Sequence, residues 1–201
     1  MSDSLQQRSP LNAFQVLAAT LPKATRPGVF LTERSFFGHI NLRGNPGDSG
    51  FLDAVQRCLR IPLPRQPNTV TKGETVSALW LGPDEWLLIT PPKTGHEFAN
   101  DLRDSLQGVF SSVTNVADGQ TIFRISGAHV VAVLRKGCSL DFDPRVFGPG
   151  CCAQTLIAKV GVLIHCLDQS PCFDLVVRRS FSEYFGYWIQ DAAVDYGFAV
   201  V

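Results

Sequence analysis

The sequence predicts an α+β fold made of two tandem ferredoxin-like repeats, each running strand, helix, strand, strand, helix. Three observations carry the expectation. Trp80-Leu81, a loop over Gly82 to Glu85, and Trp86-Leu87-Leu88-Ile89 find a second copy 86 positions later, in Cys166-Leu167, a loop over Asp168 to Pro171, and Cys172 to Val176. The same shift lays Thr94-x-x-Glu97 over Ser180-x-x-Glu183. Each reads as a capping box, in which a hydroxyl and a carboxylate satisfy free backbone N–H groups at a helix start. Upstream, "HINLRG" (His39 to Gly44) and "IFRISG" (Ile122 to Gly127) are alternating strands that end in glycine, and a helical pattern follows each.

Taken in order, residues 1–28 form an N-terminal arm, 29–110 the first repeat and 111–201 the second, the two making one compact unit. Asp48-Ser49 cap a helix whose apolar positions are Phe51, Leu52, Val55, Cys58 and Leu59. The Trp80–Ile89 hairpin comes next, then a helix carrying Phe98, Leu102 and Leu106 and stopping at Gly108. In the second repeat a helix over Ala128 to Lys136 follows Ser126 and ends at Gly137. The last helix carries Phe181, Phe185, Trp188, Ile189 and Ala192 on one stripe. A four-residue loop over 82–85 pairs Leu81 with Trp86 and Trp80 with Leu87, which sends the two tryptophans to opposite faces of the sheet. Both faces are then apolar. Helices cover one, so the other meets the second repeat or a partner chain.

Composition bounds the function. The chain has 201 residues and is 45% hydrophobic, enough for one good core or two compact halves. Eighteen basic residues balance eighteen acidic ones with no block of one sign, which points away from nucleic acid and from an acidic membrane surface. Charged residues are 18% of the chain, below the roughly 25% of an average soluble domain, a hint that another chain covers part of the surface. "MSDSLQQRSPLNAF" has no basic stretch leading into an apolar one, and no window is long enough to span a bilayer, so a cytoplasmic protein is expected. The six cysteines, Cys58, Cys138, Cys151, Cys152, Cys166 and Cys172, lack CxxC spacing and read as free, mostly packed thiols.

Candidate chemistry is sparse. The Asp84-Glu85 pair reads as a turn, because adjacent turn residues diverge and are poorly placed to share a substrate. A metal site from Cys151, Cys152, His165 and Cys166 is disfavoured because neighbours on extended chain point to opposite faces. Cys151 or Cys152 as a nucleophile lacks an evident cation or histidine nearby. His39, His129 and His165 lie in or beside apolar elements, and His96 in a first helical turn at the surface. Arg178-Arg179, before a helix start, suit an interface salt bridge or an anion. No GxGxxG follows a strand and no phosphate-cradling loop is present, so no residue is assigned a catalytic, cofactor-binding or metal-binding role.

Six blocks carry a resemblance: "PNTV" (Pro67 to Val70), "LWLGPDEWLL" (Leu79 to Leu88), "RISG" (Arg124 to Gly127), "KGCSLDFDPRVF" (Lys136 to Phe147), "CAQT" (Cys152 to Thr155) and "RRSFSEYFGYWIQDA" (Arg178 to Ala192). In this order, over nearly the whole chain, they resemble the gamma subunit of heterotetrameric bacterial sarcosine oxidase. The family is similar in fold to the folate-binding aminomethyltransferases. The resemblance implies a complex that oxidatively demethylates sarcosine to glycine, releasing hydrogen peroxide and, with tetrahydrofolate, methylene-tetrahydrofolate. It implies alpha, beta and delta partners that hold FAD, FMN, NAD, tetrahydrofolate and zinc, with no catalytic residue on the gamma chain. "GCCAQT" sits where the folate proteins carry a glycine-rich signature ending in Gln-Glu, and Thr155 replaces the acid. Two further readings stand beside the subunit: a free-standing folate-binding one-carbon protein, and a scaffold for an unrelated partner.

Overall fold

The computed structural model describes residues 8–12 and 26–201. Most of the arm expected over 1–28 lies outside the described residues; within it, Leu11 is buried in the core of the second unit. In chain order the strands and helices are β1 (Val29–Arg34), β2 (Phe37–Gly44), α1 (Ser49–Leu59), β3 (Val70–Lys72), β4 (Ser77–Gly82), β5 (Glu85–Pro92), α2 (Gly95–Ser105) and β6 (Ser111–Asn115). There follow β7 (Gln120–Ser126), α3 (Val130–Arg135), β8 (Cys152–Ile157), β9 (Val160–Asp168), β10 (Cys172–Arg178), α4 (Ser182–Ala192) and β11 (Phe198–Val200).

The strands form a five-stranded sheet ordered β3-β4-β5-β2-β6 and a six-stranded sheet ordered β11-β1-β7-β10-β9-β8. The run β2-α1-β4-β5-α2-β6 is a ferredoxin-like unit whose fourth strand, β6, lies antiparallel beside its first, β2. The second unit, β7-α3-β9-β10-α4, repeats this plan, but the place beside its first strand is taken by β1, antiparallel to β7. Each sheet thus takes one strand from across the boundary expected at 110/111: β1 joins the later sheet and β6 the earlier one.

Each sheet buries one face under its own helices. Ile40, Leu42, Trp86 and Leu88 meet Phe51, Val55, Ala99 and Leu102 from α1 and α2 in one core. Phe123, Ile125, Ile164 and Leu175 meet Val133, Phe185 and Ile189 from α3 and α4 in the other. The opposite faces meet each other through Leu79 and Leu87 from the first sheet and Ile122, Leu163 and Val176 from the second. Of the two covers open to the second face, the structure shows the other repeat. At one edge the sheets are also stitched by backbone: Val70 N donates to Gly150 O at 2.9 Å and Cys152 N to Asn68 O at 2.9 Å. The "PNTV" and "CAQT" blocks, far apart in sequence, meet at this stitch.

Local expectations divide by how much of the outcome is local. Asp48 caps α1, its Oδ1 accepting from Gly50 N at 2.8 Å and Phe51 N at 3.3 Å. Neither capping box forms. Thr94 instead turns its hydroxyl back to donate to Pro91 O at 2.9 Å, and Ser180 falls in a 3-10 turn over Arg179–Phe181 that precedes α4. That turn also leaves Phe181 43% exposed, off the stripe expected to be buried. Gly108 does close the turn after α2, at φ +78°.

The hairpin register is corrected. Gly82 pairs with Glu85 and Trp80 with Trp86, with a bulge at Leu81. The turn is the two residues Pro83-Asp84, so both indoles lie on the helix side of the sheet. The second hairpin carries the matching irregularity: Asp168 pairs with Cys172 and Cys166 with Phe173, which leaves Leu167 as the extra residue. A bulge sets two residues against one and shifts the alternation of faces, which a count along the chain misses.

Candidate functional site

The polar groups that the fold gathers lie in the seam between the sheets. On the six-stranded sheet, cross-strand partners point the same way. Thr32, Arg124, Asp174, His165 and Cys152 therefore form one row across five strands, on the face toward the first sheet. Within the row Arg124 grips Asp174 with two parallel bonds, Nε to Oδ1 at 2.8 Å and Nη2 to Oδ2 at 2.8 Å. The bond to Asp174 raises the Arg124 pKa, so the guanidinium is permanently charged.

His165 stands on the other side of Asp174. It is 6% exposed, and burial lowers its pKa to about 4; Asp174 opposes that shift while Lys72 and Arg124 add to it. The ring is neutral at physiological pH. His39, on β2 of the facing sheet, is 1% exposed, also lowered to about 4 by burial, and neither ring nitrogen has a hydrogen-bond partner among the described residues. Two neutral histidines thus sit in the seam.

Two clefts flank its apolar centre. One, about 300 Å³, is lined by Arg34, Lys72, Arg124, His165 and Asp174 together with apolar Phe37, Ile89, Ile122 and Leu167. The other, about 660 Å³, opens between Asn41, Glu85, Gln154 and Arg178. Gln154 Nε2 bridges the sheets there by donating to Leu81 O at 2.8 Å.

The remaining candidates take structural positions. Asp84 pairs with Arg43 at 2.9 Å and Glu85 accepts from Asn41 Nδ2 at 2.7 Å, so the first braces the hairpin turn and the second β5 against β2, and the two carboxylates take separate partners. Cys152 donates toward Thr69 O at 3.4 Å and Trp80 O at 3.5 Å, and burial pushes its thiol up to about 12. A thiol so raised is a poor nucleophile. Cys166 packs in the helix-side core while Cys152 faces the seam, so Cys151, Cys152, His165 and Cys166 do not converge. Among the described residues, no group of three or more His, Cys, Asp or Glu is placed to hold a metal ion. Arg179 donates to Arg8 O at 2.6 Å, His129 stacks on Tyr196, and His96 is exposed. The Arg124–Asp174–His165 row escaped the sequence reading, although each charge is a single polar residue inside an apolar strand, which is the signal that marks it.

Comparison with known proteins fits this architecture. Residues 43–195 match the sarcosine oxidase, gamma subunit family. The chain belongs to this family. It is 31% identical over 191 residues to the sarcosine oxidase subunit gamma of Corynebacterium sp. (strain P-1), covering 94% of this chain and 91% of that one. Identity is also 31% over 191 residues to the subunit gamma of an Arthrobacter species, with the same coverage. Among solved structures, a chain of the heterotetrameric sarcosine oxidase from Corynebacterium sp. U-96, in complex with pyrrole 2-carboxylate, superposes with a TM-score of 0.86 at 27% identity, covering 97% of this chain and 98% of that one. The glycine cleavage system aminomethyltransferase T of Bartonella henselae shares the fold, with a TM-score of 0.68 at 13% identity over 96% of this chain and 58% of its own.

Proposed function

We propose that this chain is the gamma subunit of a heterotetrameric sarcosine oxidase and that it contributes structure, with no catalytic group of its own. The observation that carries the reading is the match, end to end, to a chain of such an enzyme at a TM-score of 0.86. Its partners are then alpha, beta and delta subunits, which hold the FAD, FMN, NAD, tetrahydrofolate and zinc for oxidative demethylation of sarcosine, in the cytoplasm.

The chemistry of its side chains supports the division of labour. The buried Cys152 thiol is held protonated, and Asp84 and Glu85 are committed to Arg43 and Asn41. The surface supports docking. Phe110 is 98% exposed, beside a cavity of about 540 Å³ formed with Arg43, Asn45 and Asp84. An aromatic side chain standing fully in water just before β6 suits an anchor that enters a pocket on a partner.

The test is to tag this chain, recover what comes with it and record a flavin spectrum. The expected result is a yellow complex that oxidises sarcosine, an isolated chain that is colourless and inactive, and a Phe110→Ala chain that folds normally but assembles about thirtyfold or more weakly. Stoichiometric flavin on the single purified chain would overturn the reading.

A further inference from the structure

The 300 Å³ cleft has features that seam packing alone does not call for. His165 forms its floor. It is nine-tenths buried, yet among the described residues it forms no hydrogen bond, and it lines the cleft. A neutral imidazole in that position offers one N–H and one lone pair to whatever enters. Asp174 beside it is occupied by both bonds from Arg124, whose Nη1 is uncommitted among the described residues.

At the rim stand two further cations. Arg34 stands over the Phe37 ring, its Cζ 4.6 Å from the centroid, a cation–π contact that holds the guanidinium beside the cleft. Lys72 is exposed. With Arg124 they outnumber Asp174 and Glu74, the carboxylates of the lining, so the cleft carries net positive charge. Its remaining walls combine apolar Phe37, Ile89, Ile122 and Leu167 with the hydroxyl-bearing Thr75, Ser77 and Thr90. A net positive lining, apolar side chains and the imidazole of His165 match a small anion with a compact hydrophobic part. The volume sits at the lower end of small-molecule sites and is too small for a dinucleotide.

We propose that the cleft between the two sheets binds a small organic carboxylate, its charge held by Arg34, Lys72 and Arg124 and its apolar body against Phe37 and Ile122, over His165. The site lies in the seam that holds the two units together, so an occupant contacts both and tightens their packing. This is independent of the subunit reading, because it is measured without partners and without sarcosine turnover.

The experiment titrates the isolated full-length chain with benzoate and, in parallel, with benzamide, its uncharged isostere, while following the His165 imidazole by NMR. The expected result is a saturable shift of the His165 ring with benzoate, a His165 pKa that rises as the anion binds, and at least tenfold weaker binding of benzamide. Replacing the rim cations, Arg34→Gln with Lys72→Gln, should weaken benzoate at least tenfold and leave the melting temperature within a few degrees. Equal binding of the two probes, benzoate binding that leaves His165 unmoved or survives the double replacement, or no saturable binding at all would each overturn the proposal.

Discussion

Trp86 is fully buried, packs against Phe51 with ring centroids 5.9 Å apart, and donates its indole N–H to Pro64 O at 2.8 Å. Trp80 faces it across the hairpin but is only half-buried. Truncating Trp86 to Ala should therefore cost about 3–5 kcal/mol, and truncating Trp80 less than half of that, as read from urea unfolding midpoints. Asp84 and Glu85 show the same dependence of role on surroundings. The amide oxygens that replace the carboxylates in the Asp84→Asn, Glu85→Gln double variant can still accept from Arg43 and Asn41, so sarcosine turnover by the complex should stay within a few-fold of normal. A thousandfold loss with assembly intact would place them in the chemistry instead. His39 and His165 set a pH dependence whose sign follows from their lowered pKa values. Unfolded, each takes up a proton near the ordinary histidine value of 6.5; folded, each resists until about 4. Their contribution is complete above pH 6.5 and is lost as pH falls toward 4, by about 3 kcal/mol for each ring. Because neither nitrogen of His39 has a partner among the described residues, His39→Leu should raise stability at neutral pH by about 1–3 kcal/mol and remove about half of the acid-side loss, measured by denaturation at several pH values.

At the scale of elements, a close approach decides how α2 meets its sheet. A Cβ built on Gly95, the first residue of α2, would lie 2.8 Å from Gly38 Cα on β2. Alanine there would gain at most about 1 kcal/mol of helix propensity, whereas pushing backbone from backbone costs about 1–3 kcal/mol. Gly95→Ala should thus destabilise the fold, and a rise in its thermal midpoint would refute the contact. The elements were legible where the cause is local: the alternation of "IFRIS", the Asp48 cap and the apolar stripe of α1 depend on near neighbours. The register of both hairpins was not, because the bulges at Leu81 and Leu167 answer to packing across the sheet. The capping boxes failed for a similar reason, since Thr94 finds an acceptor in Pro91 O that spacing does not reveal. The row of Arg124, Asp174 and His165 depends on three registers at once, so no single stretch displays it, although the lone Arg124 in "IFRIS" and Asp174 in "CFDLVV" were visible as charges in apolar strands.

At the scale of the molecule, the exchange of β1 and β6 makes the two units mutually dependent. β1 lies between β11 and β7, and its Val29 and Leu31, at 0% and 1% exposure, belong to the core under α3 and α4. A fragment of residues 111–201 would leave β7 as an unpaired edge, lose these two core side chains and carry β6 with no sheet to join. Removing two buried aliphatic side chains of this kind forfeits about 3–6 kcal/mol by area alone, which is comparable to the whole stability of a small domain. The seam adds to the dependence, because Leu79, Leu87, Leu163 and Val176 become solvent-facing when the sheets part. Fragments 1–110 and 111–201 should therefore each lack cooperative unfolding alone, by circular dichroism and calorimetry, and recover it when mixed. Moving the cut to the turn after β6, giving 1–118 and 119–201, leaves β6 in place but still strands β1, so the second fragment should remain dependent on the first. Independent, cooperative folding of 119–201 would show that β1 is dispensable and that the exchange of strands does not bind the units together.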